Sequence, residues 1–115
     1  MIGNALAYFV AALHVVFFVV ESVLWDTPAV RKRFGMTPEQ AAETKVLAAN
    51  QGVYNGALAA ALVWSLVAGN KSATLVLLAF VVVVGIYGGF TAKRSILVLQ
   101  ALPAAIALAL VWAGI

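Results

Sequence analysis

Two ionisable side chains, His14 and Glu21, stand in an N-terminal stretch that is otherwise apolar. Imidazole and carboxylate groups are common general acids and bases, so this pair could transfer protons. A step of seven residues returns to nearly the same face of an α-helix, which predicts one shared face and about 10.5 Å between them along the axis. Trp25 follows on that face. Because an ionisable group in hydrocarbon costs on the order of 3 kcal/mol, this face is expected to contact protein or water.

The composition is that of an integral membrane protein. Of the 115 residues, 65% are hydrophobic and 10% are charged, and the mean hydropathy is +1.08. A soluble domain is nearer half apolar and about a quarter charged. The chain has no cysteine and a single histidine, so we expect no disulfide, no metal site and no other cofactor. The net charge of +3 does not point to nucleic acid as a partner.

Four apolar segments are each long enough to cross a bilayer core about 30 Å thick. They predict an all-α membrane protein, a four-transmembrane-helix bundle that forms a single membrane domain over residues 1–115. The connector after the first span contains two helix-start signals, Thr27 before Pro28 and the capping box of residues 37–40. We therefore expect a short interfacial helix in loop 1, ending near Gly35. The predicted helices cover about 3–24, 38–67, 73–90 and 95–113.

Positive charges are distributed unevenly among the predicted loops. Loops 1 and 3 hold six of the seven lysines and arginines, whereas loop 2 holds only Lys71. The positive-inside rule then predicts that loops 1 and 3 are cytoplasmic and that both termini lie outside. We expect a multi-pass protein of the cell membrane in this orientation, with membrane lipids as partners. The six residues are Arg31, Lys32, Arg33, Lys45, Lys93 and Arg94.

Counting 1.5 Å per residue, Asn50 and Gln51 are predicted to lie near the level of Glu21 and Asn55 closer to His14. Tyr87 and Gln100 are predicted to lie in the cytoplasmic half of their spans. The outer halves of the second, third and fourth spans are almost entirely apolar. This pattern predicts one polar pocket that opens toward the cytoplasm and is closed outward. His14 and Glu21 are its expected catalytic residues. The expected substrate-binding residues are Trp25, Asn50, Gln51, Tyr54, Asn55, Tyr87 and Gln100.

Two pairs of glycines are spaced four residues apart in the predicted spans. Gly52 and Gly56 lie in the second span, and Gly85 and Gly89 lie in the third. Such small-xxx-small pairs allow helices to approach closely. We interpret them as packing seams that hold the polar residues in place, and the pattern is also compatible with a homo-oligomer through these seams.

Several of these motifs together resemble a known family. The segment ETKVLAANQGVYN at 43–55 joins His14, Glu21 and Trp25 in this resemblance. With GIYG at 85–88 and QALP at 100–103, the chain resembles the small membrane proteins of domain of unknown function 1304 over nearly its whole length. The resemblance implies four-helix membrane proteins in which these polar residues are shared positions. It implies no activity.

Three functions fit these residues. The first is a membrane enzyme in which His14 and Glu21 transfer protons during isomerisation, hydration or cyclisation of a small lipophilic molecule. The alternatives are a proton-coupled small-molecule transporter and a non-catalytic hydrophobic-ligand binder. A purely structural role also fits, since polar groups in membrane helices often only bind a neighbour at about 0.6 kcal/mol per contact. The residues leave open whether the chain is an enzyme, and the convergence of an acid, a base and carboxamides favours one.

Overall fold

The structure, a computed structural model, describes all 115 residues and is all-helical. Two short π-helical segments interrupt the α-helices, one directly after the first helix and one directly before the last. The chain has five α-helices. They are α1 (Ile2–Phe18), α2 (Pro28–Phe34), α3 (Pro38–Val67), α4 (Lys71–Thr91) and α5 (Leu102–Ala113), and the π segments are Val19–Val23 and Leu97–Ala101.

Three helical segments are long and apolar enough to cross a membrane, namely Ile2–Val23, Pro38–Val67 and Lys71–Thr91. At 1.5 Å per residue, the 21 residues of α4 extend about 31 Å, which matches the hydrocarbon core. The last apolar segment, Leu97–Ala113, is shorter. Length and composition are therefore consistent with a membrane protein.

The connector between α1 and α3 forms the short helix that the sequence predicts. The Thr27 hydroxyl caps α2 by accepting from the backbone N–H of Val30 at 3.5 Å. Gly35 ends α2 at φ 64°, a left-handed conformation that glycine adopts without steric cost. The Gln40 N–H donates to Thr37 Oγ1 at 3.1 Å, and the Thr37 N–H donates to Gln40 Oε1 at 2.9 Å. This reciprocal pair confirms the predicted capping box.

Two compact units make up the chain. The larger unit comprises Met1–Leu13 and Ala59–Ile115, and the hairpin unit comprises His14–Leu58. In the hairpin unit, Gly56 of α3 lies against the Phe18 ring, and Gly52 lies against Ser22 of the first π segment. The two segments therefore run in opposite directions and approach closely at the two glycines.

In the larger unit, α4 packs against the second π segment through its own glycine pair. A Cβ atom on Gly85 would lie 2.8 Å from the backbone N of Ala101, and Gly89 lies against Leu97. Leu78 and Val81 of α4 are fully buried. Both glycine pairs are thus packing seams within the chain, as the sequence predicts, and their use in a homo-oligomer stays a prediction.

We expect Gly85→Ala to destabilise the protein. The new Cβ would meet the backbone of Ala101, which cannot move aside as the end of a side chain can, and overpacking of this kind costs about 1–3 kcal/mol. Gly88→Ala is the matched control, because its Cβ would meet only Ile96 side-chain atoms at 3.3 and 3.5 Å. Both substitutions raise helix propensity by the same amount. The difference between their thermal unfolding midpoints therefore measures the cost of the contact between the new Cβ at position 85 and the Ala101 backbone. Equal midpoints would contradict the close packing of α4 against Ala101 at Gly85.

Candidate functional site

Glu21 lies on the first π-helical segment and not on a regular α-helix. The backbone N–H of Leu24 donates to the carbonyl O of Val19 at 3.0 Å, a hydrogen bond that spans five residues. Such turns are rare and occur frequently at functional sites. The helical segment therefore continues to Val23, close to the predicted end at about residue 24, with a π turn in place of regular α-helical geometry from Val19. The shared face predicted for His14 and Glu21 assumed 100° per residue, which a π turn does not provide.

Glu21 and Asn55 form a direct hydrogen bond between the first π segment and α3. Asn55 Nδ2 donates to Glu21 Oε1 at 2.6 Å. The Asn55 side chain is buried, and Glu21 is half-buried. A carboxylate has about four acceptor positions, so this bond leaves capacity for a further donor. The structure thus brings together one predicted catalytic residue and one predicted substrate-binding residue.

Two further hydrogen bonds join the same pair of segments closer to the connector. Ser22 Oγ donates to the carbonyl O of Ala49 at 2.8 Å, and Trp25 Nε1 donates to Thr44 Oγ1 at 2.9 Å. The Trp25 ring also lies 5.4 Å from the ring of Phe34 in α2. Trp25, predicted to bind substrate, therefore contacts the connector and the start of α3. Ser22 and Thr44 were not predicted, although both are polar residues beside predicted site positions.

His14 lies in α1 and is only 2% exposed. Its ring makes an edge-to-face contact with Phe17, with ring centroids 5.2 Å apart and an interplanar angle of 72°. Edge-to-face packing orients an aromatic ring because the positive edge of one ring faces the negative face of the other. The imidazole is thus withdrawn from the protein surface, as expected for a polar residue that faces protein.

The remaining polar residues of α3 do not surround the Glu21–Asn55 pair. Asn50 is exposed, and its Nδ2 donates to the carbonyl O of Val46 in its own helix at 2.9 Å. Tyr54 is 76% exposed. Around the helix axis, Asn50 lies about 140° from Asn55 and Tyr54 lies about 100° from it. These angles are wider than the face of α3 that one neighbouring helix covers. Gln51 is also exposed, but it lies one turn before Asn55 and only about 40° from it.

The two predicted site residues of the larger unit differ in exposure. Tyr87 of α4 is 71% exposed, whereas Gln100 is partly buried in the second π segment. Pro103 follows this segment at the start of α5 and has no N–H to donate to the preceding turn. Proline and π turns are both recognised causes of helix kinks, and here they are adjacent. Each π segment therefore carries one of the predicted polar residues.

A polar cavity in the larger unit was not predicted. It has a volume of about 250 Å³, and its lining includes Asn4, Ser65, Lys71 and Thr74. Ser65 Oγ and Thr74 Oγ1 are 2.8 Å apart, and both residues are buried. Taken one helix at a time, the halves of α3 and α4 beside this turn are almost entirely apolar. The turn between α3 and α4 brings these two hydroxyls together, and their similar distance from the turn was the available signal.

The model of one protein family, described as a protein of unknown function (DUF1304), matches residues 8–112. This chain belongs to the DUF1304 family. The match spans every predicted site residue of this DUF1304 protein, and it confirms the resemblance drawn from the segment at 43–55. No curated protein and no solved structure matches the chain.

The chemistry available to this DUF1304 protein follows from the groups that the hairpin unit positions. Glu21 offers a carboxyl group that can hold or release a proton, and Asn55 fixes one of its oxygens. The chain contains no cluster of three or more His, Cys, Asp or Glu side chains placed to hold a metal ion. Proton transfer is a reaction that such a carboxyl group can support, and both groups can form hydrogen bonds with a substrate.

Proposed function

We propose that this DUF1304 protein acts on a small lipophilic molecule through an acid–base site centred on Glu21 inside the membrane. The 2.6 Å hydrogen bond from Asn55 to Glu21 joins two candidate spans, at a π turn within the first of them, and it carries the proposal. An ionisable residue in a membrane span is expensive, and such residues commonly mark functional sites. Isomerisation, hydration and cyclisation fit because each can proceed by proton transfer.

The proposed roles follow from the positions of the side chains. Glu21 takes a proton from one position of the substrate, its carboxyl group exchanges this proton with water, and it then delivers a proton to another position, while Asn55 holds the carboxyl group in one orientation. Gln51 is exposed one turn away on the Asn55 side of α3, so it meets a polar atom of a substrate that arrives from the bilayer. His14 is the second proton-transfer residue. Tyr87 and Gln100 stay proposed substrate-binding residues.

The architecture that we propose is a bundle of four spans with both termini outside the cell. The 5 residues of the second π segment and the 12 of α5 reach the lower end of the range of about 17–25 residues for a span. α2 lies at the cytoplasmic interface in this arrangement, since Arg31, Lys32 and Arg33 form its last turn and Val30 is buried. Basic residues with an apolar partner face are typical of interfacial helices.

Impermeant thiol labelling of intact cells tests this orientation. The chain has no cysteine, so Lys71→Cys and Lys93→Cys each introduce a single reactive site at an exposed position. Lys71→Cys is expected to react from outside, and Lys93→Cys only after the cells are permeabilised, because loops rich in lysine and arginine stay in the cytoplasm. The opposite pattern would reject the proposed orientation.

Solvent-deuterium labelling of a lipid mixture tests the proposed function, since the substrate need not be identified first. The protein is reconstituted in vesicles of the total lipid extract of its expression host and incubated in D₂O. Acid–base catalysis that moves a proton to carbon incorporates solvent deuterium, so mass spectrometry is expected to show one lipophilic component with carbon-bound label. Vesicles without protein provide the background. Proton movement across the vesicle membrane without labelling would instead favour a proton-coupled carrier.

A further inference from the structure

We propose that the larger unit binds the headgroup of an anionic phospholipid in the cavity beside the turn between α3 and α4. This headgroup cavity has a volume of about 250 Å³, slightly below the range of about 300–1,000 Å³ for ligand pockets. Its polar lining residues are Asn4, Ser65, Lys71 and Thr74. It lies entirely within the larger unit and contains none of the residues assigned to the acid–base site.

The charge of the cavity favours an anionic group. Lys71 is the only residue with a charged side chain among those that line it. Lys71 Nζ donates to the carbonyl O of Trp112 at 3.2 Å, which fixes the ammonium group against the end of α5. An ammonium group has three N–H donors, so two stay available for a phosphate oxygen.

The buried hydroxyl pair supplies the complementary part of the site. Thr74 Oγ1 donates to Ser65 Oγ at 2.8 Å, and Ser65 Oγ donates to the carbonyl O of Leu62 at 2.7 Å, because each hydroxyl has only one hydrogen to donate. Each hydroxyl oxygen has two lone pairs, so the pair retains the capacity to accept a hydrogen bond. A glycerol headgroup provides both a phosphate for Lys71 and a hydroxyl donor for this pair.

The position of Lys71 favours a lipid over a dissolved anion. Lys71 is the first residue of α4, whose length of about 31 Å matches the hydrocarbon core. Its side chain therefore lies at the level of the phospholipid headgroups if α4 spans the bilayer. Lysine side chains at this level attract anionic lipids.

Native mass spectrometry of the full chain in a non-ionic detergent tests the proposal with short-chain lipids. Dihexanoyl-phosphatidylglycerol is expected to bind, whereas dihexanoyl-phosphatidylcholine, which has no net charge and no hydroxyl donor, binds more weakly. Lys71→Gln is expected to weaken phosphatidylglycerol binding about tenfold, the effect of one hydrogen bond to a charged group. Thr74→Val, which removes one hydroxyl, is also expected to weaken phosphatidylglycerol binding. Lys45→Gln is the matched control, since Lys45 is exposed and lies outside the cavity.

Three results would overturn the proposal. Equal binding of the two lipids would show that neither the net charge nor the headgroup hydroxyl is recognised. Equal affinities of Lys71→Gln and Lys45→Gln would remove Lys71 from the site. Competition by inorganic phosphate at the same concentration as phosphatidylglycerol would identify a free anion as the ligand and not a lipid.

Discussion

Replacing the Glu21 carboxyl group with a carboxamide, Glu21→Gln, is expected to lower deuterium incorporation by about a hundredfold or more. General acid–base catalysis contributes about 10²–10⁴ in rate, and a carboxamide cannot take up and release a proton at neutral pH. The glutamine oxygen can still accept the hydrogen bond from Asn55 Nδ2, which is 2.6 Å from Oε1 in the structure. Folding and expression are therefore expected to change little.

Glu43→Gln provides the matched control for this substitution. Glu43 is an exposed residue of the same helix as Asn55, so removing its charge is expected to leave labelling unchanged. Circular dichroism and size-exclusion chromatography of both variants report on folding. If Glu21→Gln keeps full labelling and alters only the unfolding midpoint, Glu21 is a structural hydrogen-bonding residue and the acid–base proposal fails.

Gly52→Ala is expected to have the largest effect on stability in the hairpin unit. A Cβ at this position would overlap Ser22 Oγ and would lie 3.0 Å from the Ser22 backbone N and 3.1 Å from Glu21 Cβ. The Ser22 hydroxyl must then rotate and lose its hydrogen bond to the carbonyl O of Ala49, while the Ser22 backbone is also crowded. We expect a cost of about 3 kcal/mol, the upper part of the usual range for overpacking. Because the same contact positions Glu21, labelling activity is expected to fall as well.

Thermal unfolding in one detergent measures this effect against Gly56→Ala as the control. A Cβ on Gly56 would meet the Phe18 ring at 3.1 and 3.2 Å, and a ring can shift more easily than backbone. Combining Gly52→Ala with Ser22→Ala removes the overlapping hydroxyl and is expected to recover part of the loss, as coupled neighbours do. A midpoint for Gly52→Ala at or above that of Gly56→Ala would show that the helices are not in close contact at Ser22.

Features set by local chemistry could be predicted from the sequence. Thr27 caps α2 and Gly35 ends it because both act on backbone groups within a few residues. The capping box of Thr37 and Gln40 is equally local. The presence of the long helices could also be predicted from the sequence. In a bilayer, the backbone N–H and C=O groups of an apolar segment must form hydrogen bonds with each other.

The arrangement of the candidate site could be predicted only in part. Counting depth at a constant rise per residue places Asn50 and Gln51 level with Glu21 and Asn55 closer to His14, whereas the structure pairs Asn55 with Glu21. Which side chains face each other depends on how far each helix is rotated about its own axis. A π turn changes this rotation, and it has no clear signal in the sequence. Tyr54 shows the same limit, because its polar character does not reveal that the neighbouring segment covers only the side of α3 that carries Gly52 and Asn55.

The π turn at Val19–Val23 also makes the hairpin unit sensitive to the number of residues in that turn. A hydrogen bond that spans five residues encloses one residue more than an α-helical bond. Deleting a single residue there would remove the extra residue and restore a regular helix, in which neighbouring side chains point about 100° apart. Glu21 and Ser22, which bond Asn55 and the carbonyl O of Ala49 in the same helix, would then face α3 less equally. Substitutions at the valines of this turn keep its number of residues constant. Insertions and deletions change that number, and with it the side chain that faces Asn55.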